Sequence, residues 1–257
     1  MTPLVARITV AALAAAYLCT AVALTAQTGP ARGRGATPIA SARASAPIDL
    51  TGYWVAVISQ DWRWRMVTPP RGDYASVPIT LEAKKMGDAW DPAKDEAAGE
   101  ACRAYGAPGL MALPTRLHVT WQDDETLRMD ADAGTQTRLF RFAAARVNRR
   151  GAPSWQGESV AEWNRPRPPP GTTPKGGSLR VVTTNLRAGY LRRNGVPYGA
   201  DAVLTEHWDL FTDPSGDQWI GITRIVEDPK FLREPWVTAL NFKKERDGAK
   251  WEPTPCT

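Results

Sequence analysis

The segment Ala202–Phe211, AVLTEHWDLF, repeats with a period of two. Leu204, Glu206, Trp208 and Leu210 fall on one parity, and Thr205, His207 and Asp209 on the other. Successive side chains of a strand point to opposite faces, so the pattern sets one face against a core and the other toward water. A helix would need apolar residues at i, i+3 and i+4, and would mix the two sets. The same pattern recurs in Thr115–Trp121, Thr126–Asp130, Gln136–Phe142, Gly157–Trp163, Ser178–Thr184, Gln218–Glu227 and Trp236–Lys244. Turn residues such as Asp123-Asp124, Ala133-Gly134 and Thr212–Asp217 separate these runs. Two further strands are predicted after Gly52, bent at Asp61. Trp54, Ala56, Ile58, Trp62, Trp64 and Met66 share one parity there, with Arg63 and Arg65 on the other, so the tryptophans are expected to face inward. Helix signals are confined to two stretches. Ile79–Trp90 is one, and Asp91-Pro92, an N-cap followed by proline at the first helical position, opens the other toward Cys102. The fold predicted is mainly β: an antiparallel, lipocalin-like barrel of about eight to ten strands with one or two short helices.

The N-terminus is set apart from this fold. Arg7 precedes an apolar run from Ile8 to about Ala26 that ends among small residues, the pattern of a secretory signal. Residues 27–47, rich in Pro, Gly, Ala and Ser and without acids or aromatics, read as a disordered tether. The expected organisation is therefore a signal over 1–26, a tether over 27–47 and a single β-barrel domain over 48–257. The formal charge of +5 belongs mostly to the leading segments. Of 32 basic residues, Arg7, Arg32, Arg34 and Arg43 precede Asp49 and no acid does, leaving 28 basic against 27 acidic residues. A near-neutral domain excludes a nucleic-acid footprint. Once Cys19 leaves with the signal, Cys102 and Cys256 remain in an oxidising compartment and are expected to pair. Exported, periplasmic or extracellular protein, free of the membrane after cleavage, is the expected location.

Four stretches of the C-terminal half occur in order: PSWQGESVAEW (Pro153–Trp163), GGSLRVVTTNL (Gly176–Leu186), AVLTEHWDLF (Ala202–Phe211) and IVEDPKFLREPW (Ile225–Trp236), followed by a terminal cysteine. Over roughly residues 49–256 the chain resembles a widespread family of exported bacterial proteins that open on a Gly-x-Trp strand and have no assigned activity. The resemblance implies export and a β fold, and it carries over no catalytic residue. Members often bear histidines where this chain has Val196 and Tyr198. The opening Gly52-Tyr53-Trp54 is also similar to the first strand of lipocalin-type barrels.

Chemistry-bearing patterns are sparse. The two histidines, His118 and His207, share parity with polar neighbours and read as outward-facing. No His/Cys spacing suits a metal, no Gly-x-Ser-x-Gly elbow is present, and no glycine loop suits a phosphate, so no metal or cofactor is expected. Asp228, ahead of Pro229, reads as a turn acid. Glu206 stands out as a carboxylate in an apolar row, and a buried charge needs a partner. The next strand offers Arg224 among Ile220, Ile222 and Val226, and facing Phe211 with Trp219 across the hairpin sets Glu206 opposite Arg224.

The leading expectation is an exported barrel that binds a small apolar or aromatic ligand. Trp54, Trp62, Trp64 and Trp208 would line its cavity, and Glu206 and Arg224 would orient the ligand. One alternative is an enzyme on the same barrel with Glu206 as acid or base. The other is a structural or partner-binding envelope protein. A cavity above about 300 Å³ favours the first two readings and a filled interior the third.

Overall fold

The computed structural model describes residues 40–142, 151–167, 170–171 and 176–257. The expected signal and the first part of the tether, to residue 39, lie outside the described residues. Nine strands close into a barrel: β1 (Gly52–Val57), β2 (Arg116–Asp123), β3 (Thr126–Ala131), β4 (Gln136–Arg141), β5 (Glu158–Asn164), β6 (Ser178–Thr184), β9 (Val203–Thr212), β10 (Gln218–Glu227) and β11 (Trp236–Glu245). A short hairpin of β7 (Gly189–Arg192) and β8 (Val196–Tyr198) stands apart. Around the barrel the order is β1-β11-β10-β9-β6-β5-β4-β3-β2, and β1 closes it by pairing with both β11 and β2.

The neighbours are antiparallel except at β4–β5, which run parallel through Phe140–Ser159 and Arg141–Val160. Parity along a strand does not reveal which strand lies beside it, so this junction departs from the expected all-antiparallel pairing. The β9–β10 hairpin follows the expected register, with Phe211 opposite Trp219 and Glu206 opposite Arg224. Its turn is held by the Asp213 carboxylate, which accepts from the Ser215 and Asp217 backbone N–H groups and from the Trp219 indole. Gly216 supplies the φ of +92° that this turn requires.

The inward rows fill the barrel. Trp54, Leu117, Met129, Phe140, Leu179, Val181, Trp208, Ile220, Ile222 and Phe242 are all buried in one continuous core. Phe140 and Trp208 meet edge to face, with ring centroids 5.4 Å apart. At one end Trp121, Phe142 and Trp163 pack together, ring centroids 5.2 to 6.4 Å apart. There the described part of the expected tether is fixed in place. The Ala42 carbonyl accepts from the Trp163 indole, and the Ala42 N–H donates to Glu125. Residues 40–47 are thus part of the domain, because they cover aromatic edges that would otherwise face water. Residues Ala40–Thr257 form one unit.

The other end carries the helices: α1 (Trp62–Arg65), α2 (Leu81–Asp88), α3 (Pro92–Ala97) and α4 (Ala107–Leu110). That is more than the one or two expected. Thr80 caps α2 by accepting from Ala83 N–H, and Asp91 caps α3 by accepting from Ala93 N–H ahead of Pro92. The second helix stops at Ala97, and a 3-10 turn over Ala101–Tyr105 then places Cys102 against Cys256, the expected disulfide. Among the described residues no helix is long and apolar enough to cross a membrane.

The segment that follows β1 departs from the second strand expected there. Trp62-Arg63-Trp64-Arg65 is a helical turn, not a strand. Asp61 takes a left-handed conformation, φ 52°, and its carbonyl accepts from the Trp64 and Arg65 N–H groups. Side-chain partners off the sheet decide the matter. Arg63 pairs with Asp73 at 2.9 Å, the Trp64 indole donates to Asp73, and Arg65 donates to the Ala112 carbonyl. Tertiary contacts thereby override a short period-two pattern. Trp62 is left 65 % exposed and Trp64 half-buried. Trp62→Ala is therefore expected to change the unfolding free energy by no more than about 0.5 kcal/mol, and Trp64→Ala to lower it by about 1–3 kcal/mol. Urea titration of the two variants checks this ordering.

Candidate functional site at the barrel mouth

The polar side chains inside the barrel form two groups. In the first, Glu206 is fully buried, and both its oxygens are taken by Arg138 of β4, at 3.0 Å from Nη1 and 2.5 Å from Nη2. Arg138 also donates to Thr183, whose hydroxyl meets Ser159 at 2.8 Å, and its guanidinium lies over the Phe140 ring. The fork geometry of guanidinium on carboxylate satisfies the anion in a dry interior. The expected Glu206–Arg224 pair is thus corrected: the backbone register is right, and the partner is different. The signal for Arg138 was present. It shares parity with Phe140 and Phe142, a charge in an apolar row just as Glu206 is. What the sequence could not show is that β4 lies across the barrel from β9.

Arg224 belongs to the second group. It is 1 % exposed and donates to the Pro108 carbonyl of α4 from Nη1, and to the Thr238 hydroxyl on β11 from Nε and Nη2. Burial lowers its pKa to about 10; Glu206 acts against that shift, while Arg65 and Arg138 add to it. Its outer edge borders a cavity of about 100 Å³ at the barrel mouth, which Arg65, Arg192, Trp64, Trp236 and Leu240 also line. Each of these arrives by a different route. Trp64 and Arg65 come from α1, which crosses the mouth after β1 ends. Arg192 comes from the β7–β8 hairpin, which the sequence pattern did not reveal. Trp236 and Leu240 come from β11.

Arg192 donates to the Ala75 carbonyl and the Ser76 hydroxyl, and its guanidinium stands 5.1 Å from the Trp64 ring and 5.7 Å from the Trp236 ring. Burial lowers the Arg65 and Arg192 pKa values to about 10, with Asp61 opposing the shift in both. The Trp64 indole N–H holds the Asp73 carboxyl below its ordinary range. A second cavity of about 350 Å³ adjoins the first, sharing Thr68, Ala104 and Arg193 with it; Trp90, Tyr190 and Pro92 form its apolar wall, and Asp95, Glu96, Glu100 and Arg103 its charged one.

The expected ligand residues therefore divide. Trp64 and Arg224 line the mouth cavity. Trp54, Trp208 and Glu206 are packed into the filled interior, and neither cavity reaches them. The Trp54 indole is occupied by the Leu50 carbonyl at 2.9 Å. Trp62 points to solvent and lines neither cavity. Trp236 and Arg192 were not singled out in the sequence, and Arg65 was read there as outward-facing; Arg192 lies on a short hairpin buried on both faces, which carries no periodic signal.

His118, His207 and Asp228 line neither cavity. His118 lies outside the barrel, stacked on Tyr53 with ring centroids 4.1 Å apart. Asp228 caps its turn by accepting from the Lys230, Phe231 and Gly199 N–H groups. Among the described residues no group of three or more His, Cys, Asp or Glu side chains could hold a metal ion. Comparison of the chain with family models, curated proteins and solved structures gives no match.

Proposed function

We propose that the chain is an exported barrel protein that binds a small, largely apolar or aromatic molecule at the mouth of its barrel. The observation that carries this reading is the placement of open space. The barrel interior is packed with side chains, whereas the mouth holds two adjoining cavities of about 100 and 350 Å³ walled by Trp64, Trp236, Leu240, Trp90 and Tyr190. The larger by itself reaches the size at which small-molecule sites begin, about 300 Å³; surface depressions of about 340 to 440 Å³ occur elsewhere, so the aromatic walls and not the volume single out the mouth. Aromatic walls with a few convergent polar groups suit a ligand with a flat apolar body. Export rests on Arg7 with its apolar run and on a Cys102–Cys256 bridge, which persists in oxidising compartments.

Ala112 lines the smaller cavity, so Ala112→Trp fills it from a position whose backbone carbonyl, not its side chain, holds Arg65. A set of small aromatic compounds screened by thermal shift is expected to raise the unfolding midpoint of the native protein. The same compounds should leave the Ala112→Trp midpoint unmoved. Equal shifts in both proteins would place binding elsewhere.

A further inference from the structure

We infer that the mouth site takes a small organic anion, its charged head set among Arg224, Arg65 and Arg192 and its apolar body extending into the adjoining cavity. This rests on the mouth being the binding site, and it adds the chemical class of the ligand.

The ground is an imbalance of charge where charge is costly. Inside the barrel, Glu206 is neutralised by Arg138, which leaves Arg224 buried beside that pair with no carboxylate of its own. Its partners, the Pro108 carbonyl and the Thr238 hydroxyl, are neutral. Arg65 is bonded to the Ala112 and Gln60 carbonyls, and Arg192 to the Ala75 carbonyl and the Ser76 hydroxyl, again neutral. Among the described residues none of the three makes an ion pair, and all three line one cavity. Arg65 Nη2 is buried without any hydrogen-bond partner.

One carboxylate, Asp61, lines that cavity against these three guanidiniums and Arg193; Asp95, Glu96 and Glu100 line the adjoining one, where Asp95 and Glu100 are paired with Arg103. Asp73 is nearby but is taken by Arg63 and the Trp64 indole. Burying a cation without an anion costs far more than burying a neutral group, and folds retain such an arrangement at little gain to stability. An anion entering the cavity supplies what the arginines lack. It meets planar donor forks whose geometry matches a carboxylate or a phosphate. Trp64 and Trp236, already flanking Arg192, give that head an apolar setting in which charge pairing is strong.

Calorimetric titration in low-chloride buffer with benzoate, phenyl phosphate and benzamide tests this. The amide keeps the ring and removes the charge, and the two acids separate carboxylate from phosphate recognition. At least one acid is expected to bind at least about tenfold more tightly than benzamide. Arg224→Met should reduce acid binding to the level of the amide while the unfolding midpoint is retained. Arg65→Met, at a position less buried than Arg224, should weaken the same acid and serves if Arg224→Met does not fold. Acid and amide bound equally, with both lost in Ala112→Trp, would keep the site and overturn its preference for anions. Acid binding undiminished in both arginine variants would overturn the assignment of the head group. Failure of all three compounds to bind the native protein would remove both the anion and the mouth site.

Discussion

Glu206→Gln is expected to lower the free energy of unfolding by about 3–5 kcal/mol, as found when one member of a buried ion pair is removed. The carboxylate holds Arg138 through two bonds, at 3.0 and 2.5 Å, and is itself fully buried. Glutamine offers one oxygen and no charge. Two guanidiniums, Arg138 and Arg224, would then stand in the barrel interior without any anion. Adding Arg138→Met to Glu206→Gln should recover most of the loss, because an apolar side chain of similar length ends the need for a partner. Denaturant unfolding of the two single variants and the double variant gives the coupling. A Glu206→Gln variant within about 1 kcal/mol of the native protein would be at the level of an ordinary hydrogen bond and would contradict the interior as described.

Opening the Cys102–Cys256 bridge is expected to cost a similar amount. The two residues are 154 positions apart in the chain, and cross-linking so long a loop removes about 5 kcal/mol of unfolded-state entropy. For a domain of this size that corresponds to a fall of about 10–20 °C in Tm. The effect should also reach the mouth. Cys102 sits in the 3-10 turn beside Arg103 and Ala104, and Cys256 lines the larger cavity. Scanning calorimetry of the Cys102→Ser, Cys256→Ser double variant should therefore show a lower Tm. Non-reducing mass spectrometry of the native protein should show the linked peptides. A double variant with an unchanged Tm would mean that the bridge adds nothing to folding.

The barrel was legible where one face of a strand is buried, because burial then imposes a period of two. β6 and β10 begin and end where the alternation does, and the hairpin turn at Thr212–Asp217 sets Glu206 opposite Arg224. Parity also marked Glu206 and Arg224 as charges among apolar residues, and both are buried. It could not say which charges meet. That depends on which strands face each other across the interior, and Arg138 lies on a strand far from β9 in the chain. The mouth was less legible for a different reason. Trp62–Arg65 alternates as a strand would, yet its form is set by Asp73 and the Ala112 carbonyl. Over so few residues, local pattern is a weak constraint against such partners. β7 and β8 are short and buried on both faces, so no alternation announces them. Arg65, Arg192 and Arg224 come from separate parts of the chain, and only the fold makes them neighbours around one cavity.

The claim that binding takes place at the mouth, and not inside the barrel, has a direct readout in the indole N–H signals of the tryptophans. In a nitrogen–proton correlation spectrum of labelled protein titrated with benzoate, Trp64 and Trp236 should shift, since both line the mouth cavity. Trp54 and Trp208, buried among Phe140, Leu179 and Ile222, should stay in place. Movement of the Trp54 and Trp208 signals with Trp64 and Trp236 unmoved would put the ligand inside the barrel and contradict the account.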